Sequence, residues 1–413
     1  MVTTLGEISR ESAQRFGDKT ALIIEDKSFS YKEIDAMACR VANGLKASGV
    51  RPGDRVTLYS ANCWEWAVSY HAIAKTGAVI NPINVMLTSD EVKYVVEDSG
   101  AKAVLGSADK AESLLDLKGN NELTDVVLFG DTVPTGATSF EDWLKSGTDT
   151  FEVAVRNRED LAAICYTSGT TGHPKGAMHS HHNILANAQG TAMMHVRTES
   201  DVMVNSLPLP HVYGSVVFNS GFMYGAKLVI VPRFEEEAVM SAIQQHQATI
   251  LDGVPTAYYF LLAHPKFDDY DLSTLTRSTV GGQTLPAAKS IEWEERVGTA
   301  VLELWGMTEL AGAATANPYY GDNKPGTIGL VYPGSEAKIV SAEDPTVDLE
   351  IGDEGEFMFR GPLVMLGYYK NEEATRDAMA SGGWMHTGDI ATCLLYTSPS
   401  PRDATLSRMP SSA

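Results

Sequence analysis

Residues 161–176 read LAAICYTSGTTGHPKG. Leu161–Tyr166 is a short, nearly continuous apolar run, the pattern of a strand that fills a buried sheet. Beyond Tyr166 the texture changes. Gly169, Gly172 and Gly176 let the backbone curl and approach a ligand closely. Successive N–H groups in such a turn make a concavity suited to an anion. Thr167, Ser168, Thr170 and Thr171 add hydroxyl donors, and Lys175 adds a point charge for phosphate. A strand feeding this loop reads as a phosphate cradle in an α/β protein.

Two other readings of the loop fare worse. A flexible Gly/Ser/Thr linker would not carry a lysine and a proline directly after a strand. The P-loop needs Gly-Lys and then a hydroxyl residue, and the chain contains no Gly-Lys dipeptide. No GxGxxG comes after a strand either, which argues against a dinucleotide fold.

Outward from the loop, strands and helices alternate. Thr20–Ile24, Arg55–Tyr59, Ala103–Leu105 and Asp125–Phe129 read as strands. Between them, Ile34, Met37, Ala38, Val41 and Leu45 fall at helical spacing, and Thr88 or Ser89 caps a helix carrying Val92, Val95 and Val96. Leu228–Val231 and Thr249–Leu251 open a second such unit. Alternation of this kind predicts an α/β fold of two subdomains with parallel-rich sheets. From about Lys324 short strands and glycine turns predict a small β subdomain.

Composition narrows the function classes. The 413 residues suffice for two or three domains, or for one large multi-lobed one. A net charge of −21, from 32 basic and 53 acidic residues, disfavours nucleic acid as a partner. Any polyphosphate must be held by local N–H groups, a lysine and a metal ion, because the global field repels it. Cys39, Cys63, Cys165 and Cys393 have no paired spacing, which fits a reducing compartment better than disulfides or zinc. His179, His181 and His182 sit too close together to form a closed zinc set. No apolar run approaches membrane-spanning length, so the expected location is cytoplasmic or peripheral at a membrane.

Three further stretches join the loop: Gly281-Gly282-Gln283, Leu304-Trp305-Gly306-Met307-Thr308-Glu309, and Trp384-Met-His-Thr387-Gly388-Asp389. Together, in this order, the four resemble the acyl-CoA synthetases and the wider acyl-adenylate-forming superfamily. The loop resembles the family's (Y)TSGTTGxPKG almost letter for letter, and the likeness spans roughly Leu5 to Thr392. It implies an enzyme, an AMP-forming acid–thiol ligase. A carboxylate attacks the α-phosphorus of MgATP to give acyl-AMP and pyrophosphate, and coenzyme A then displaces AMP. The small-molecule partners are thus an acid, ATP and CoA, with Mg²⁺ as the metal; a homodimer is a further expectation.

The resemblance also implies site roles. Thr167, Ser168, Gly169, Thr170, Thr171 and Gly172 would cradle the β- and γ-phosphates, and Lys175 would steady them. Thr170 and Glu309 would meet Mg²⁺, oxygen ligands suited to a hard cation. Thr308 would touch the α-phosphate, and Gly306 and Met307 complete its motif. Trp305 would lie against adenine, with Gly281, Gly282 and Gln283 at its edge, and Asp389 would accept from the ribose hydroxyls. His211, in Leu207-Pro-Leu-Pro-His211-Val-Tyr-Gly214, matches the segment whose histidine sits at the substrate carboxylate. Thr170, Lys175, His211 and Glu309 form the expected catalytic set. Val212, Gly214, Val217, Phe218, Val254, Pro255 and Thr256 are small or apolar candidates for the acid pocket. They offer no charge to pair an ammonium, which favours a fatty or aryl acid over an amino acid.

The far end departs from the family pattern. There the family continues into a C-terminal domain carrying a lysine that bridges carboxylate and α-phosphate, whereas here Thr392 runs into CLLYTSPSPRDATLSRMPSSA. Its serine, proline and arginine content predicts a disordered or extraneous tail over 393–413, behind an AMP-binding domain over 5–392 whose small β subdomain is 324–392. A chain without that lysine would turn over weakly, or act as a non-catalytic module that holds ATP and an acid.

Overall fold

The computed structural model describes residues 2–119, 122–130, 132–167, 173–395 and 404–408. Two large sheets and one small one organise them. In the nine-stranded sheet the inner strands are Val301–Met307, Arg277–Val280, Ile250–Gly253, Val202–Asn205, Lys227–Ile230 and Thr20–Ile24, all parallel. Antiparallel strands close both of its edges. The eight-stranded sheet runs parallel through Val79–Pro82, Arg55–Tyr59, Ala101–Ser107 and Asp125–Phe129, and carries the hairpin of Leu161–Thr167 with Lys175–Ser180.

The helices form where the sequence supplies both a cap and an apolar stripe. Helix Tyr31–Ala47 starts at Ser30, whose hydroxyl accepts from Glu33 N–H while the Glu33 carboxylate reaches back, a capping box. Its Ile34, Ala38, Val41, Ala42 and Leu45 are buried. Helix Ser89–Ser99 repeats the device with Thr88 and Glu91, then ends at Gly100 with a φ of 60°. Helices Trp64–Lys75 and Val212–Tyr224 are buried nearly all round because they lie inside the molecule. They meet through Trp66 and Tyr70 edge-on to Phe218, at 5.8 and 5.6 Å between ring centres. One continuous core thereby joins residues of both large sheets.

Most strand expectations fall on observed strands, with two differences. Thr20–Ile24 joins the nine-stranded sheet, beside Lys227–Ile230, although it is first in the chain. The other lies in the tail expected to be disordered or extraneous over 393–413, of which residues 393–395 and 404–408 fall in strands. Strand Met385–Leu395 of the small antiparallel sheet runs on to Leu395, and Ala404–Arg408 pairs with it, Cys393 opposite Leu406. The reason is local: Cys393 packs against the main core and its carbonyl accepts from Gly352 N–H at 3.0 Å, so the apolar run continues the ladder. Residues 396–403 and 409–413 lie outside the described residues.

Candidate active site

The glycine-rich loop joins two antiparallel strands, with Thr167 directly opposite Lys175. Ser168, Gly169, Thr170, Thr171 and Gly172, the expected centre of the phosphate cradle, lie outside the described residues. Both flanks of the loop are anchored. Tyr166 O–H donates to Asp98 Oδ2 at 2.6 Å, and His173 stacks on Tyr94 at 4.4 Å between ring centres.

A cavity of about 840 Å³ opens beside this hairpin, walled in part by Thr167, Lys175, His211, Val212, Gly282, Gly306, Met307, Thr308 and Glu309. The structure thus brings together nine residues that the sequence scatters over more than a hundred positions. Strand Val301–Met307 and the turn after it deliver the last four. Gly306 is required there, because a Cβ would fall 1.9 Å from the Gly312 carbonyl oxygen on the neighbouring strand. Gly282 adopts a φ of +91°, a conformation that suits glycine. After Met307 the chain makes a single 3₁₀ turn, Thr308–Leu310, which holds Glu309 nine-tenths buried at the wall. His179 secures that turn: its Nε2 lies 2.7 Å from the Thr308 carbonyl. Burial lowers the His179 pKa to about 4, so the ring is neutral and Nε2–H donates.

Glu309 Oε1 accepts from Tyr368 O–H at 2.7 Å, and the Lys175 ammonium sits 5.3 Å from the centre of the Tyr368 ring. Among the described residues no cation forms an ion pair with Glu309. A buried carboxylate at a cavity wall, short of a counter-charge, fits a hard cation. His211 caps helix Val212–Tyr224, its Nδ1 accepting from Tyr213 N–H at 3.2 Å. Desolvation lowers its pKa, so the neutral ring carries its proton on Nε2, free to donate. A second, smaller cavity, lined by Pro82, Ile83, Leu87 and Cys165 among others, shares Thr167, His211, Val212 and Thr308 with the first.

Gly282, Gln283, Trp305 and Gly306 meet in a narrow cleft alongside, and Glu303 joins them. Trp305 is only 2% exposed and packs edge-on against Phe357 at 4.8 Å between ring centres. Its Nε1–H donates to Asp389 Oδ2 at 2.8 Å, so the indole and the small sheet are tied together. Gly281 is buried behind Leu304, where a Cβ would fall 2.3 Å from Leu304 Cδ1.

The other pocket candidates lie away from the large cavity. Val217 and Phe218 face the shared core, and Gly214 lies against the Pro208 carbonyl, where a Cβ would be 2.1 Å away. Val254 and Pro255 begin a helix, and Thr256 is exposed. None of the six lines the large cavity. Among the described residues the walls are completed by Tyr213, Leu304, Gly312, Ala313, Tyr368, Thr387 and Gly388. Thr387, Gly388, Tyr213 and Leu304 stand inside the sequence motifs; Tyr368 has no signal in the sequence pattern. The three clustered histidines also serve separate ends, with His181 Nδ1 accepting from Leu5 N–H at 3.1 Å.

Glu303 is a further residue that the motifs did not single out. Burial raises its pKa from 4.5 to about 7, although Gly326 N–H donates to it. The protonated acid is therefore favoured by the fold. Below the unfolded value both states hold the proton; between that value and about 7 only the folded chain keeps it, so stability falls as pH rises through this window. Urea unfolding should lose about 1–3 kcal/mol across that range, and Glu303→Gln should flatten the profile.

Comparison with known proteins agrees with this geometry. The family described as AMP-binding enzyme matches residues 9–369. A long-chain-fatty-acid–CoA ligase of Bacillus subtilis (strain 168) is 30% identical over 416 residues, covering 94% of this chain and 74% of that protein. The anthranilate CoA ligase AuaEII, solved with anthranoyl-AMP, superposes with a TM-score of 0.91 at 29% identity, over 98% of this chain and 77% of the other. ATP-bound MatB from Rhodopseudomonas palustris gives 0.90 at 31% identity, over 99% and 78%. Sequence match and superposition extend through both large sheets and their shared cavity, and the chain belongs to the AMP-binding enzyme family, as an AMP-forming acid–thiol ligase of the acyl-CoA synthetase kind.

Proposed function

We propose that this chain activates a carboxylic acid with an apolar body, fatty or aryl, using MgATP, and that coenzyme A then receives the acyl group. The observation that carries this reading is the convergence of Lys175, His211, Thr308 and Glu309 on one cavity. In the first half, a carboxylate oxygen bonds to the α-phosphorus while the bond from that phosphorus to the pyrophosphate oxygen breaks. In the second, the thiol displaces AMP and loses its proton.

Attack of one anion on another needs charge neutralisation by groups already in place. Lys175 at the loop's exit serves the β- and γ-phosphates. The Nε2–H of His211 holds the acid's carboxylate, and Thr308 faces the α-phosphate. Glu309, with Thr170, would hold the Mg²⁺ that arrives with the nucleotide, which would supply charge to neutralise the phosphates. Tyr368 orients the Glu309 carboxylate through its hydrogen bond. Trp305, Gly282 and Gln283 receive adenine, and Asp389, aligned by the indole, receives the ribose.

Acid-dependent exchange of labelled pyrophosphate into ATP reads the first half alone. Benzoate, hexanoate and palmitate are suitable probes, with CoA added afterwards to read thioester formation. MgATP binding without exchange for any acid would mark a binding module and end this reading. Lys175→Ala removes a charge-assisted contact and should weaken MgATP by about tenfold or more in calorimetric titration; unchanged affinity would remove Lys175 from the phosphate site.

A further inference from the structure

The large cavity meets Tyr213 at one wall, and this residue is bound into a polar network beneath it. Thr279 Oγ1 donates to Asp252 Oδ1 at 2.7 Å, which commits its single hydroxyl proton. Tyr213 O–H, 2.9 Å away, is therefore the donor to Thr279. Asp252 also takes Arg197 Nη2 at 2.5 Å, and Arg197 Nη1 donates to Ser220 Oγ at 2.8 Å. Both charged side chains are wholly buried, at 0% exposure. The ring of Tyr213 thus separates the cavity from a buried ion pair.

Past the Tyr213 ring a long alkyl tail meets this polar network. Continuing beyond the ring, it would strip hydrogen bonds from groups that no water can reach, and each would carry its desolvation penalty. The wall at Gly312 is closed as well. Gly312 lies against helix Val212–Tyr224, where a Cβ would fall 2.5 Å from Val216 Cγ2. Asn187 Nδ2 stitches the same strand to its other helix through the Leu310 and Ala313 carbonyls, at 2.9 and 2.7 Å.

We propose that Tyr213 is a specificity-determining floor that restricts this enzyme to compact acids, short aliphatic or single-ring, and turns away long-chain fatty acids. This rests on the acid-activating reading and deepens it.

Stable acyl-sulfamate mimics of acyl-AMP test the floor without turnover. In an open apolar tunnel each added methylene would tighten binding by about fourfold. Calorimetry should instead give benzoyl and hexanoyl mimics at least about tenfold tighter than the palmitoyl mimic. Tyr213→Ala should raise the octanoyl-to-hexanoyl affinity ratio by about fivefold or more, while Tyr213→Phe, which keeps the ring, should preserve the wild-type order. A palmitoyl mimic that binds the unaltered protein as tightly as hexanoyl overturns the proposal, whether its tail runs past Tyr213 or into the smaller cavity. So does an unchanged ratio in a folded Tyr213→Ala protein. Should that variant fail to fold, the order in the unaltered protein decides. Length-graded mimic binding without pyrophosphate exchange would sink the acid-activating reading and keep this one; equal exchange with palmitate and hexanoate would do the reverse.

Discussion

Arg197→Met is expected to lower the unfolding free energy by about 3–5 kcal/mol, a large share of what holds a typical domain folded. The arginine and its partner Asp252 are both at 0% exposure, so the variant leaves a carboxylate in the interior with no counter-charge. Ser220 loses a donor at the same time. Urea denaturation reads the loss directly. The double variant Arg197→Met, Asp252→Leu should recover most of it, because an apolar pair of similar volume avoids desolvating two ions. A single variant as stable as the original would mean that the pair is hydrated in solution.

Glu309→Gln should cut acid-dependent pyrophosphate exchange by about two to three orders of magnitude, with the Mg²⁺ needed for half-maximal exchange rising by about tenfold or more. An amide oxygen keeps the shape and the hydrogen bond from Tyr368 while giving up the charge that a hard cation seeks. Affinity for AMP without metal should stay near its original value, which separates a metal ligand from a scaffold residue. Equal loss of AMP binding with and without Mg²⁺ would show that Glu309 merely supports the Trp305 strand.

Elements were legible in the sequence where local rules decide them. The cap at Thr88, the helical spacing from Ile34 to Leu45 and the apolar runs at Arg55–Tyr59 and Asp125–Phe129 all act over a few residues. Motif residues were read through the family resemblance, and the structure gives a local reason for two: Gly306 is fixed by one neighbouring carbonyl, and Glu309 by one turn. The packing of Val217 and Phe218 was not legible. Both have the right chemistry for an acid pocket, but a helix has several faces, and only its packing on Trp66 and Tyr70 tells which one is core. The ion pair of Arg197 with Asp252 joins residues 55 positions apart on different elements, beyond the reach of periodicity. At the far end, composition outweighed three apolar residues, Cys393 to Leu395, that the ladder could still use.

The placement of Thr20–Ile24 has a consequence for how the chain is made. Leu22 registers with Leu228, so this strand leaves the ribosome long before its parallel partner does. At about 5–20 residues per second, the roughly two hundred intervening residues take on the order of ten to forty seconds to appear. Through that interval Ala21, Leu22 and Ile24 lack the cover that later buries them, and the Tyr31 hydroxyl lacks the Ala226 carbonyl that accepts from it. Nascent chains halted before Lys227 should be cut readily by protease near their N-terminus and should recruit chaperones there; chains halted after the Thr249–Gly253 segment has emerged should resist.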